Sequence, residues 1–157
     1  MKILFATLML MLTSACLYAD EDGRECSNAT LKGDYAFTVS GTRPTGPGGP
    51  LEQFVGWTLT SFDGDGGGTQ IGASHGSING DSIDDSGTLT YSLNPDCTGT
   101  GTLQLSNNRP LIRLWIVVMD DAKEVRAVVR APLTNPPGPA SSLTISLGRK
   151  VRASDSD

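Results

Sequence analysis

From residue 35 onwards, apolar and polar residues alternate with a period of two along much of the chain. In the first such segment Tyr35, Phe37 and Val39 alternate with Ala36 and small hydroxyl residues. Seven further alternating or apolar segments cover residues 55–62, 69–78, 89–93, 103–105, 111–119, 124–131 and 143–147. Alternation of this kind is typical of strands with one buried face. Eight short segments at an even spacing predict an all-β fold, either a barrel or a sandwich.

The connections between these segments alternate between short and long. Residues 63–68, 94–96 and 120–122 are short and rich in Asp and Gly, which favour hairpin turns. The other connections, at residues 43–50, 79–87, 106–110 and 132–140, are longer and several contain proline. In an up-and-down meander, alternate connections lie at the same end. The sequence therefore predicts a single antiparallel up-and-down barrel with a base of tight turns and a rim of long loops.

The N-terminal residues have the layout of a secretory signal peptide. Lys2 precedes an apolar run, and cleavage after Ala19 would remove residues 1–19. Alternatively, the residues before Cys16 resemble a lipoprotein signal, in which Cys16 would carry a lipid anchor. We expect a secreted or periplasmic protein, or else an envelope-anchored lipoprotein, with no transmembrane span in the mature chain. The oligomeric state remains open from sequence alone.

Cleavage at either site leaves Cys26 and Cys97 as the two free thiols. In an oxidising compartment such a pair is expected to form a disulfide. Cys26 precedes the first strand and Cys97 lies in the fourth connection, so the predicted meander places both at the base. The predicted organisation is an N-terminal segment, 20–33, tied by the disulfide, a barrel domain, 34–152, and a disordered tail, 153–157.

Composition excludes several classes of protein. The chain has 157 residues, 19 Gly, 9 Pro and only 18% charged residues, which disfavours a helical bundle. Its formal net charge of −5 argues against a nucleic-acid partner, because phosphate binding needs a clustered basic face. No motif indicates a cofactor.

Seven residues are candidates for the barrel lumen. They are Tyr35, Phe37, Trp57, Tyr91 and Trp115, together with Arg113 and His75. An eight-stranded barrel either is filled by its side chains or holds one small ligand, so the aromatic residues either pack the core or line a site. His75 is the one histidine, so any nucleophile–His arrangement must use it, but its sequence context has no signature of a nucleophile elbow. Arg126 alternates with valines along its segment. We expect it on the solvent face, because burying unpaired positive charges inside the barrel would be costly.

Asp63, Asp65 and Asp96 are a weak candidate calcium set, since calcium is bound by carboxylate oxygens. All three lie in predicted turns, where Asp is a favoured residue type. Turn formation is the simpler interpretation, because the segment lacks the further acids of a full calcium loop.

Two cysteine blocks resemble a family of secreted bacterial proteins of unknown function. The first runs Cys26-Ser27-Asn28-Ala29-Thr30-Leu31-Lys32-Gly33-Asp34-Tyr35, and the second Asn94-Pro95-Asp96-Cys97-Thr98-Gly99-Thr100. The turn at residues 62–66 and the segment 116–125 share in the resemblance. It implies a β-barrel with a disulfide and supplies no catalytic residue. A looser likeness to calycin-like barrels, the lipocalins and avidins, rests on strand number and on Gly33-x-Tyr35.

Three functions follow as hypotheses. The first is a non-enzymatic barrel that binds a small apolar or amphipathic ligand entering through the rim. The second is an extracellular or envelope interaction module that binds a protein or a glycan through the rim loops. The third is a small enzyme of the cyclase or isomerase type that acts inside the lumen.

Overall fold

The computed structural model describes residues 25–45, 49–78, 82–106, 111–129 and 143–151, with the backbone alone at 82–85 and 143. The predicted signal peptide, Cys16, the tail at 153–157 and the proline-rich segment 132–140 lie outside the described residues.

Eight strands form one closed antiparallel barrel in chain order, which confirms the predicted fold. The strands are β1 (Lys32–Pro44), β2 (Leu51–Asp63), β3 (Gly67–Gly76), β4 (Ser82–Leu93), β5 (Thr98–Leu105), β6 (Ile112–Met119), β7 (Glu124–Val129) and β8 (Leu143–Lys150). A single 3₁₀ turn, Asn28–Thr30, precedes β1. The tight connections after β2, β4 and β6 share one end, the base, and the longer ones share the rim. Several boundaries differ from expectation. β1 extends into the connection predicted at 43–50, β2 begins directly after that connection, at Leu51, and β4 begins at Ser82, where its polar first residues pair with β3 and Ser82 lies opposite His75.

Strand register determines which residues point into the barrel, because directly opposed residues lie on the same face of a sheet. Tyr35 and Phe37 point inward, opposite Thr60 and Thr58 of β2. A buried cluster fills the lumen from the base and extends along β5 towards the rim. It comprises Leu31, Tyr35, Phe37, Phe62, Leu89, Tyr91, Leu93, Leu103, Leu105, Ile116, Val118, Ala122, Val125 and Ala127. Phe62 packs edge-on against Tyr35 and Tyr91, with ring centroids 5.3 and 5.2 Å apart, a favourable aromatic arrangement.

Inward glycines provide the space that these large side chains occupy. A Cβ atom at Gly148 would overlap the ring of Phe37, which lies opposite it across β1 and β8. On β5, a Cβ atom at Gly101 would press against the side chains of Ile116 and Leu89. Small barrels are commonly filled by such an alternation of large and small residues. The glycine content of the strands is therefore a packing requirement.

The register corrects the expected position of two tryptophans. Trp57 and Trp115 are predicted to be lumen residues, but both lie on the outer surface, 56% and 52% exposed. On β2 the inward positions are held by residues such as Thr58 and Thr60, opposite the large aromatics of β1. The residues of β2 that alternate with these, such as Val55 and Trp57, therefore point outward. The outer face of β6 is likewise exposed, although its nearly continuous apolar sequence suggested cover on both faces.

The N-terminal segment closes the base. Leu31 is fully buried beneath the core. The hydroxyl of Tyr91 donates to the carbonyl oxygens of Leu31 and Asn28 at 2.9 and 3.1 Å, and that of Tyr35 donates to the carbonyl of Ala122 at 2.6 Å. The predicted disulfide between Cys26 and Cys97 is present, with the two Cα atoms 4.9 Å apart. It joins this segment to the turn between β4 and β5.

Replacing both cysteines, Cys26→Ser with Cys97→Ser, is expected to lower the free energy of unfolding by about 4 kcal/mol, because the crosslink restricts a long loop of the unfolded chain. Urea denaturation of the oxidised protein and of the double variant measures the difference. Reduced wild-type protein is the control and should match the variant. Equal stability of the oxidised protein and the variant would contradict the prediction.

Candidate functional site

Burial of the inward-facing residues changes along the barrel axis. On β1, Tyr35 and Phe37 are buried, whereas Val39, the next inward residue towards the rim, is only half-buried. The same change occurs on β6 between Ile116, which is 3% exposed, and the half-buried Leu114. Solvent thus reaches inward residues of β1 and β6 in the rim half, whereas Leu105 of β5 and Thr144 of β8 are buried there.

The half-buried inward residues together define a rim chamber. Its walls include Val39, Phe54, Thr58, Ile112, Leu114 and Ser146. The inward positions of β2 and β3 are notably small here, with Gly56 opposite Ser74 and Thr58 opposite Gly72. The larger apolar residues that line the chamber thus lie mainly on β1 and β6, with Phe54 on β2. The small residues that line it lie on β2, β3 and β8.

An ion pair lies at the rim end of this chamber. Arg43 of β1 lies directly opposite Glu52 of β2, and Arg43 Nε donates to Glu52 Oε1 at 2.9 Å. The side chain of Glu52 is 4% exposed and that of Arg43 is 17% exposed. Arg43 Nη1 also donates to Ser74 Oγ at 2.8 Å, which links β1 to β3.

The surroundings of the pair hold it in one arrangement. The guanidinium carbon of Arg43 lies 5.1 Å from the centroid of the Phe54 ring, within cation–π range. The backbone N–H of Ile78 donates to Glu52 Oε2 at 3.2 Å. Gly76 lies beside the carboxylate of Glu52, where a Cβ atom would collide with it. Residues at the rim ends of β1, β2 and β3 thus converge on the carboxylate of Glu52.

Desolvation makes a buried ion pair a poor source of net stability, because the attraction between the two ions often fails to offset the cost of removing them from water. An apolar pair would serve the packing of a small barrel at least as well. A buried, fully oriented Arg–Glu pair at the open end of a lumen is accordingly a candidate recognition site. Its arginine presents a rigid planar donor group that suits carboxylates and other polar oxygens.

Sequence reasoning missed both charged residues, because Arg43 was assigned to a rim loop and Glu52 to no strand. The signal was nevertheless present. The inward phase of Tyr35, Phe37 and Val39, continued without interruption, reaches Gly41 and then Arg43.

The predicted lumen residues are divided between the buried cluster and the outer surface. Tyr35, Phe37 and Tyr91 do point inward, but they fill the base half, below the rim chamber. Burial raises the pKa of both tyrosine hydroxyls above the ordinary value of 10.0.

Arg113 and His75 are corrected to the outer surface. Arg113 is opposite Thr102 and alternates with the inward Ile112 and Leu114, while His75 is exposed opposite Val55. Arg126 is also outside, and its Nε donates to Glu124 Oε1 at 2.8 Å.

The aspartates of the base turns bind their own backbone. Asp63 Oδ1 accepts the N–H groups of Asp65, Gly66 and Gly67 at 2.7, 3.1 and 2.9 Å, and these bonds lower the pKa of its carboxyl. Asp96 Oδ1 accepts the N–H and hydroxyl of Thr98 at 3.0 and 2.6 Å, which lowers its pKa likewise. Within the described ranges, no group of three or more His, Cys, Asp or Glu residues could hold a metal ion.

No family model matches the chain, and no curated protein matches it. In the part of the chain that the structure describes, no helix is long and apolar enough to cross a membrane.

Asp63→Ala is expected to lower the melting temperature at pH 7, since three backbone donors lose their acceptor. Hydrogen bonds to the ionised carboxyl place its folded pKa below the unfolded one. Its stabilisation is therefore complete above the ordinary value of 3.8 and is lost as the pH falls through the lower folded value. Thermal melts of wild type and variant should accordingly converge below pH 3.8.

Asp65→Ala is the matched control, because it keeps the backbone donor of the same turn. A difference between Asp63→Ala and wild type that stays constant down to pH 2 would contradict the assignment.

Proposed function

We propose that this chain is a secreted, non-enzymatic β-barrel protein that binds a small amphipathic molecule in the rim chamber. One observation carries the proposal: the inward apolar side chains of Val39 and Leu114, in the rim half, remain half-buried, whereas those of Phe37 and Ile116, nearer the base, are buried.

The chamber walls specify the kind of molecule. Val39, Ile112 and Leu114 offer an apolar surface, whereas Arg43 with Ser74 offers donors at the rim end. A ligand with a compact apolar body and one polar or anionic group matches this division. An eight-stranded barrel has room for one small ligand.

Secretion is part of the proposal. It is supported by the signal-peptide pattern of residues 1–19 and by the disulfide, since disulfides form and persist in oxidising compartments. The resemblance of the two cysteine blocks to a family of secreted bacterial proteins of unknown function agrees with this destination, and we propose membership of that family.

Binding can be tested with 8-anilinonaphthalene-1-sulfonate, an amphipathic anion whose fluorescence rises in apolar surroundings. Wild type is expected to bind the probe, and Ser146→Trp, which places a large ring in the chamber, is expected to weaken binding at least tenfold. Arg43→Leu removes a positive charge and should weaken binding of this anion, while the apolar residues that line the chamber are unchanged. Titrations of the folded proteins, checked by far-ultraviolet circular dichroism, measure both effects.

Two controls separate the chamber from the outer surface. Thr100→Trp adds the same ring on the exposed face of β5 and should leave binding unchanged. Trp57→Ser removes an exposed aromatic residue and should also leave it unchanged. Equal binding by wild type and Ser146→Trp, or loss of binding in Trp57→Ser alone, would overturn the proposal.

A further inference from the structure

The outer wall of the barrel is divided into two unlike parts. On β4 and β5 the outward residues with described side chains are hydroxyl or amide residues, such as Thr88, Thr90, Thr100 and Gln104. On the remaining wall, large apolar side chains are exposed on β6, β8, β2 and β3, whereas β7 and β1, which lie between them, carry none. Trp57, Val55, Ile145, Ile71, Trp115 and Leu147 are between 39% and 61% exposed. We call this second part the apolar wall.

Strand pairing joins the apolar wall into continuous rows. One row of directly opposed residues runs Trp115, Val128, Ile145, Ser40, Val55. The next row runs Val117, Arg126, Leu147, Thr38, Trp57. The small residues of β1 form a shallow strip between two raised apolar areas.

The exposed apolar residues form two areas, one on β6 and β8 and one on β2 and β3. Together they present on the order of 900 Å², so each area is comparable to the largest patch on a typical monomer, about 300–600 Å², which is often functional. A standard interface buries about 800 Å² per partner, of which somewhat more than half is apolar. The wall thus supplies apolar area for two interfaces of ordinary size.

The curvature of the barrel also indicates two neighbouring molecules. The apolar wall spans six of the eight strands of a closed barrel, more than half of its circumference. A convex neighbour touches only a sector of a convex wall, so a single neighbour leaves much of the apolar area exposed. Two neighbours cover it, and the hydroxyl-rich wall of β4 and β5 then remains in water.

Charge distinguishes the two halves of the apolar wall. Among described side chains, the outer face of β6–β8 carries Arg113, Arg126 and Arg149 against Glu124, a net positive charge. The outer face of β1–β3 carries Asp34 and Asp63 against Lys32, a net negative charge. A contact between like halves would oppose like charges, whereas a contact between unlike halves would pair opposite ones.

We propose that the occupant of the apolar wall is a second copy of this chain, bound through unlike halves. Each barrel places its β6–β8 half against the β1–β3 half of the next. A head-to-tail contact of this kind generates a ring when its rotation closes. The proposed assembly is such a ring, with at least three chains and with its polar walls outward.

Light scattering coupled to size-exclusion chromatography tests the assembly. The mature wild-type protein is expected to elute with the mass of three or more chains. Trp57→Lys and Ile145→Lys each place a charge on one half at an exposed position and should give monomers. Thr100→Lys, on the polar wall, should keep the wild-type mass. A wild-type monomer or dimer would overturn the ring, including a monomer that instead cosediments with phosphatidylglycerol vesicles.

A mixing experiment tests the head-to-tail arrangement. Trp57→Lys retains an intact β6–β8 half, and Ile145→Lys retains an intact β1–β3 half. Their equimolar mixture should form a heterodimer, measured by native mass spectrometry, although each variant alone is monomeric. Absence of a heterodimer would contradict a contact between unlike halves. Circular dichroism spectra equal to that of wild type exclude misfolding as the cause.

Discussion

The narrow interior of an eight-stranded barrel is the constraint on which the rest of this structure depends. Its width is just sufficient for side chains to fill, so a large residue on one strand requires a small one opposite. Phe37 can occupy the centre because Gly148 and Thr58 flank it. At the level of Val39 the residues opposite it, Gly56 and Ser146, are small, and this part of the lumen forms the rim chamber. The packed base and the candidate site both follow from where large and small inward residues lie along the strands.

This constraint also explains how far the sequence could predict the structure. Period-two alternation and the lengths of the connections predict the strand number and the chain order, and the two cysteines that remain after cleavage predict the disulfide. Alternation alone leaves open which of the two faces of a strand points inward. On β1 the larger residues, Tyr35 and Phe37, are inside, whereas on β2 the larger residue, Trp57, is outside. The choice is made by cross-strand volume, which appears only when the register of every pair is known.

The same reasoning accounts for the site residues that were missed. Charged residues near a proline-rich connection suggest a solvated loop, and both Arg43 and Glu52 lie within a few residues of Pro44 and Pro50. The strands continue past the expected boundary, so the two residues face each other across the lumen. Their burial depends on Gly76 and on the backbone N–H of Ile78, which lie far away in sequence. No local pattern could have specified that convergence.

The N-terminal segment is fixed to one end of the barrel, the base. The backbone N–H of Cys26 donates to the carbonyl of Pro95 at 3.0 Å, and the disulfide holds the same residue against the turn after β4. The chain therefore enters the barrel at the base, the end opposite the rim. A support attached through residues before Glu25 is thus joined to the molecule at its base. The rim chamber then lies at the far end of the barrel from that point of attachment.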